Sequence, residues 1–119
     1  MFLLNTVSGR FDIRDFGAIP NDDSLAAEEI NSAAIMQAIV AANYTSVDER
    51  EVYIPSNLTF SSMPVYANFI QNLIITIDGT LIASKRNNMW PLGKKDVLNF
   101  IELNHAQNFK IRGNGTVDG

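Results

Sequence analysis

Cysteine is absent from the 119 residues, which excludes disulfides, thiolate nucleophiles and Cys-based zinc sites and leaves the redox compartment open. Histidine and tryptophan occur once each, at His105 and Trp90. No run of about five basic residues exists, and nine Lys and Arg stand against thirteen Asp and Glu, so nucleic acid and anionic membrane are poor partners. Long hydrophobic runs are also missing. The apolar start Met1-Phe-Leu-Leu-Asn5 has no basic flank and is too short for a signal peptide, and nothing else approaches the length of a transmembrane helix. What is present is a 46% share of hydrophobic residues, enough to bury the core of one ordinary domain. Asn-x-Ser/Thr sequons at Asn43, Asn57 and Asn114 permit secretion without establishing it.

The chain repeats itself once. Asn72-Leu-Ile-Ile-Thr-Ile-Asp-Gly-Thr-Leu81 lines up with Asn108-Phe-Lys-Ile-Arg-Gly-Asn-Gly-Thr-Val117 at a constant offset of 36 residues. Asn72 falls on Asn108, Ile75 on Ile111, Gly79 on Gly115 and Thr80 on Thr116. Each copy is an apolar/polar alternation that runs into glycine, the residue a tight corner needs. With no helix signal between them, the copies read as successive coils of a β-solenoid. An all-β sandwich is the competing fold, and Asp78-Gly79 taken alone would also suit a hairpin turn.

Taken in order, Phe11 to Ala18 reads as a short strand closed by Gly17, followed by a loop from Ile19 to Glu29. Asp22 and Asp23 are adjacent carboxylates in that loop, placed to be solvated or to cap local N–H groups rather than to converge. Asn31 or Ser32 is the N-cap expected for a helix over about 32–43. Its residues Ile35, Ala38, Ile39 and Ala42 share one face at i, i+3, i+4, i+7 spacing. A broad apolar stripe with almost no charge must lie over something apolar. Short strands are expected at Glu51–Ile54, Leu58–Phe60, Pro64–Tyr66, Leu73–Ile77, Leu81–Ala83 and Val97–Leu103. The irregular stretch Lys85 to Lys95 holds Trp90.

These residues, in this order, resemble the N-terminal portion of the polygalacturonase family, pectin-hydrolysing glycoside hydrolases with a right-handed parallel β-helix fold. The resemblance runs through Asp15-Phe-Gly-Ala18, Ala34-Ile35, Val52-Tyr-Ile-Pro55, Ile77-Asp-Gly-Thr-Leu81, Trp90 and the closing Ile111-x-Gly-x-Gly-x-Val-Asp-Gly119. It implies an all-β parallel β-helix: a leader over 1–10, an N-terminal cap over 11–50 with its helix, and the first coils over 51–119. It implies a pectin-like polyanionic polysaccharide as substrate of the whole protein, an extracellular setting and no cofactor. The family's later signatures, an Asn-Thr-Asp strand, an Asp-Asp pair, a Gly-His-Gly turn and an Arg-Ile-Lys strand, are not in this chain. Asp22-Asp23 lies too early for that pair, and His105 sits in Asn104-His-Ala106 rather than between glycines. No catalytic, cofactor or metal residue is therefore carried over.

What remains as site candidates is sparse. Trp90 could stack on a sugar ring or simply pack its loop. His105 could serve as acid/base or as an exposed turn residue. Gly113-x-Gly115 lacks the following helix a phosphate loop needs. Lys85-Arg86 with Lys94-Lys95 could hold a polyanion or be solvated charge. The chain should be the structural end of a hydrolase, its open side covered by further coils or a partner chain. The rivals are a non-catalytic assembly module completed by a partner chain and a β-helix lyase or polysaccharide binder.

Overall fold

In the computed structural model, which describes residues 9–43, 50–85 and 100–118, the alternating stretches become short strands and the alanine-rich stretch a helix. The elements run β1 (Arg10–Asp12), a 3-10 turn (Ile13–Phe16), α1 (Leu25–Asn43), β2 (Arg50–Ile54), β3 (Thr59–Ser62), β4 (Val65–Asn68) and β5 (Gln71–Ile77). They end with β6 (Thr80–Ala83), β7 (Ile101–Asn104), β8 (Gln107–Arg112) and β9 (Thr116–Asp118). Among the described residues every strand pairing is parallel. One sheet has the order β1-β2-β5-β8, a second β3-β6-β9 and a third β4-β7.

The expected all-β right-handed parallel β-helix is corrected by this arrangement. The described residues form a small α/β structure: a helix of 19 residues, α1, and short parallel strands in three small sheets. Its radius of gyration, 13.7 Å, is near the roughly 13.5 Å of a compact chain of this length. The helix is an integral layer, packed against β1, β2, β3, β4 and β5. Ala34, Ile35, Ala38, Ile39 and Ala42 belong to the same core as Val52, Phe60, Val65, Leu73 and Leu81.

The helix also starts earlier than expected. Its N-cap is Ser24, whose hydroxyl accepts the Ala27 N–H at 3.2 Å, while Asp22 accepts the Ser24 N–H at 2.9 Å. Leu25 to Ile30 carries strong helix formers but no clean apolar period, so its polar flanks read as loop. Asn31 is then inside the helix rather than at its start. It is fully buried and reaches out sideways: Oδ1 accepts the Ile19 N–H at 2.6 Å, and Nδ2 donates to the carbonyls of Ile19 and Ser61 at 3.1 and 2.8 Å. One side chain thus ties the loop before α1 to β3.

Smaller differences follow the same logic. The strand expected over 11–18 is short, because Ile13 turns inward in the 3-10 turn and Gly17, at φ 99°, ends it. Asp78-Gly79 is not a hairpin, since β5 and β6 pair in different sheets. The 36-residue echo is visible in the register: Leu73 lies beside Phe109, Ile75 beside Ile111, Thr80 beside Thr116 and Leu81 beside Val117. Asn108 Nδ2 donates to Asn72 Oδ1 at 2.6 Å across that step. At the corner, a Cβ on Gly79 would overlap the carbonyl oxygens of Pro55 and Leu58, and one on Gly115 those of Gly79 and Ile77. Neighbouring corners stack backbone on backbone, which only glycine allows.

Candidate functional site

Three places on the described surface could carry chemistry, and they differ in what holds them. The first is the loop before α1. Asp22 and Asp23 are exposed and border a shallow cavity of about 630 Å³ with Ile19, Asn21, Thr59 and Ser61. The Asp22 carboxyl is held below its usual range by the Ser24 N–H and hydroxyl, the signature of a turn-forming aspartate. Beside it Glu28 is buried, accepts the Ser84 hydroxyl at 3.0 Å, and shares a cavity of about 360 Å³ with Asp23, Ser61 and Lys85. Among the described residues, no cluster of His, Asp and Glu could hold a metal ion.

The second place is a polar ladder on the sheet of β1, β2, β5 and β8, which the sequence did not announce. Register sets Arg10 beside Glu51 and Tyr53 beside Thr76, with Thr76 beside Arg112. Glu51 accepts from Arg10 Nε at 2.7 Å and from the Thr76 hydroxyl at 2.5 Å, with Arg112 at 3.6 Å. The Arg10 guanidinium lies over the Tyr53 ring, 4.0 Å from its centroid. Burial by itself would raise the Glu51 carboxyl. Hydrogen bonds from Thr76 and Arg10, with the charges of Arg10 and Arg112, outweigh it, and the pKa is lowered. A carboxylate so held is ionised and committed. No local signal links positions 10, 51 and 76; only the register brings them together.

The third place is the end of the molecule where β7, β8 and β9 are the last strands of the three sheets. Ile101 and Leu103 of β7, Phe109 and Ile111 of β8 and Val117 of β9 surround a cavity of about 350 Å³ floored by Ile77. Phe109 is 43% exposed and Ile111 48%, although their neighbours in register, Leu73 and Ile75, are buried. The outer backbone edges of the three strands pair with no further strand among the described residues. All three sheets contribute to this apolar opening, and it suits a protein contact more than a reaction.

The candidates named from the sequence are scattered. Trp90, Arg86, Lys94 and Lys95 lie outside the described residues, while Lys85 is exposed beside the Glu28 cavity. His105 occupies a corner at φ 52°, its ring stacked on Phe69 at 4.9 Å and 9°, so its partner is an aromatic face rather than an acid or a nucleophile. Gly115 serves backbone stacking, as above, and a Cβ on Gly113 would overlap the Ile77 backbone. No family model, characterised protein or solved structure matches the chain.

Proposed function

We propose that this chain is a non-catalytic, structural portion of a polygalacturonase-like hydrolase of pectin-type polysaccharide, and that it works through the end formed by β7, β8 and β9. The open end is the observation that carries the structural role: an apolar layer and three strand edges in one place form a surface for polypeptide. The substrate class is supported by the sequence resemblance through Asp15-Phe-Gly-Ala18, Val52-Tyr-Ile-Pro55 and Ile111 to Gly119. The carboxyls support the absence of catalysis in this portion. Glycoside hydrolysis by inversion needs a proton-donating acid with raised pKa across from a base, about 6.5–9.5 Å apart. Here the displaced carboxyls, Asp12, Asp22 and Glu51, all shift downward and are bound by Arg14, Ser24, and Thr76 with Arg10.

The open end also favours a second reading, an assembly module with no enzyme attached. One experiment separates the two. Reducing-end release from polygalacturonate is measured for the 119-residue chain and for whatever native protein or complex an antibody to this chain isolates from its source. An inactive chain within an active native protein is the expected result. Activity in the chain alone overturns the structural role, and an inactive native protein overturns the hydrolase in favour of the assembly module.

A further inference from the structure

Phe69 and His105 display their rings from a left-handed corner of the backbone, and we propose that they form a platform on which an uncharged pyranose unit of a polysaccharide stacks. The structural role proposed above gives this portion no contact with sugar. The platform adds one, and rests on that reading only for the choice of pectin as its polymer. Six non-glycine residues among those described have positive φ: Asn21, Asn57, Asn72 and Asn108, and the pair Phe69 and His105 at 58° and 52°. Asparagine tolerates that region because its short amide bonds locally, whereas a bulky ring such as that of Phe69 does not. Packing does not account for the exception. Phe69 is 70% exposed, more than any other large hydrophobic residue among those described. A residue strained at its backbone and left in water is explained by what it displays.

The corner is held from both sides. The Phe69 N–H donates to the Asn104 carbonyl at 2.9 Å, and Asn43 Nδ2 donates to the Phe69 carbonyl at 3.1 Å. The pairing of β4 with β7 then sets the His105 ring beside that of Phe69, 4.9 Å away and 9° from parallel, so each ring fixes the other. In the outward row of the same two strands, Asn68 lies beside Asn104 and Tyr66 beside Glu102. Tyr66, Asn68 and Asn104 are exposed, and the strip from Tyr66 to Phe69 runs about 10 Å. A pyranose ring has the matching composition: a face of C–H groups that packs on an aromatic ring, and a rim of hydroxyls that donate and accept. The carboxamides of Asn68 and Asn104 also donate and accept, and Glu102 adds an acceptor. None of these residues is Lys or Arg, and Glu102 repels carboxylates. The strip therefore suits neutral units, such as uronates whose carboxyls are esterified, better than free polyuronate.

Isothermal titration of the full chain with soluble polymers tests this, the probes being highly methyl-esterified pectin, polygalacturonate and hydroxyethylcellulose. Binding to the esterified pectin is expected, weaker by about tenfold for polygalacturonate, and insensitive to added salt. Phe69→Asn installs the residue that the other left-handed corners use, so its thermal melt should match or exceed the parent's while binding falls about tenfold. Phe69→Tyr keeps the ring and should bind within about twofold of the parent, and His105→Asn should lose about threefold. No binding to either neutral polymer overturns the proposal. So does a Phe69→Asn chain that binds as the parent does, a Phe69→Tyr chain that loses as much as Phe69→Asn, or binding that salt abolishes. Tighter binding to polygalacturonate than to the esterified pectin overturns the preference for neutral units. Binding to hydroxyethylcellulose alone upholds the platform and counts against pectin as the polymer. An inactive native protein would sink the hydrolase and leave a sugar-binding chain standing, so the two proposals fail separately.

Discussion

Ile75 and Ile111 are the same residue in the same register of the same sheet, one strand apart. Yet Ile75 is 1% exposed and Ile111 48%. The contrast extends across the molecule. On the side of α1, Ile35, Ala38 and Ile39 close over Val52, Phe60 and Val65. On the side of β7, β8 and β9, an equivalent inward row borders an open cavity, with no further strand paired outside it among the described residues. An apolar side chain aimed into a parallel stack stabilises it only when the layer on its outer side is present. The two ends therefore share a pattern and differ in energy.

The largest effect should come from removing that difference at a single site. Ile75→Ala opens a cavity in a filled layer and should cost about 4 kcal/mol, whereas Ile111→Ala should cost less than about 1 kcal/mol because its site is already open. Urea unfolding of the dilute chain measures both, and equal losses would mean that the open end is covered. The corner glycines give a second pair. Gly79→Ala forces a Cβ into the carbonyls of Pro55 and Leu58 with β9 stacked outside, and should cost about 3 kcal/mol. Gly115→Ala meets Gly79 in the same way, but β9 is an outer strand that can shift away, so about half that loss is expected.

Asn31 sharpens the picture at the closed side. Asn31→Ala removes three hydrogen bonds and leaves the Ile19 N–H and the Ser61 carbonyl short of a partner in a buried place, for a loss of about 2 kcal/mol in the same assay. A smaller effect than that of Asn31 belongs to the polar ladder. The pKa of Glu51 is lower in the folded chain than in the unfolded one, so its contribution is full above the unfolded value of about 4.3. That contribution is lost as pH falls through the lowered folded value. Arg10 is half exposed, so the pair is screened and Glu51→Gln should cost only about 1 kcal/mol at neutral pH. The gap between variant and parent should shrink on acidification. A gap that stays constant down through the carboxylate range would remove Glu51 as its source.

Much of the secondary structure was legible because its signals are local. Val52 to Ile54, Leu73 to Ile77 and Leu81 to Ala83 alternate or run apolar in short stretches, and each lies within a strand. The stripe Ile35, Ala38, Ile39 and Ala42 is buried. The echo between Asn72 and Asn108 is legible because those copies keep a constant spacing. The pairing of β2 with β5 is not legible in the sequence, since Arg50 meets Leu73 after a much shorter connection and the strands share no residue pattern. The start of α1 lies seven residues before the expected one, because Ser24 is an ordinary polar residue in the sequence and only the fold sets its hydroxyl on the Ala27 N–H. Of the site candidates, His105 was placed correctly in a turn, but its stack on Phe69 needed the register of β4 with β7.

By itself the sequence determined where the chain is extended, where it turns on glycine and which helix face is apolar, because alternation, positive φ and helical period are properties of neighbouring residues. Only the tertiary structure decided that the helix is a full layer of an α/β molecule, that Glu51 is gripped by Arg10 and Thr76, and that Ile75 is buried while Ile111 is not. Those outcomes depend on what packs against each residue from far along the chain, and one residue type in one local pattern can meet either a filled layer or an open face.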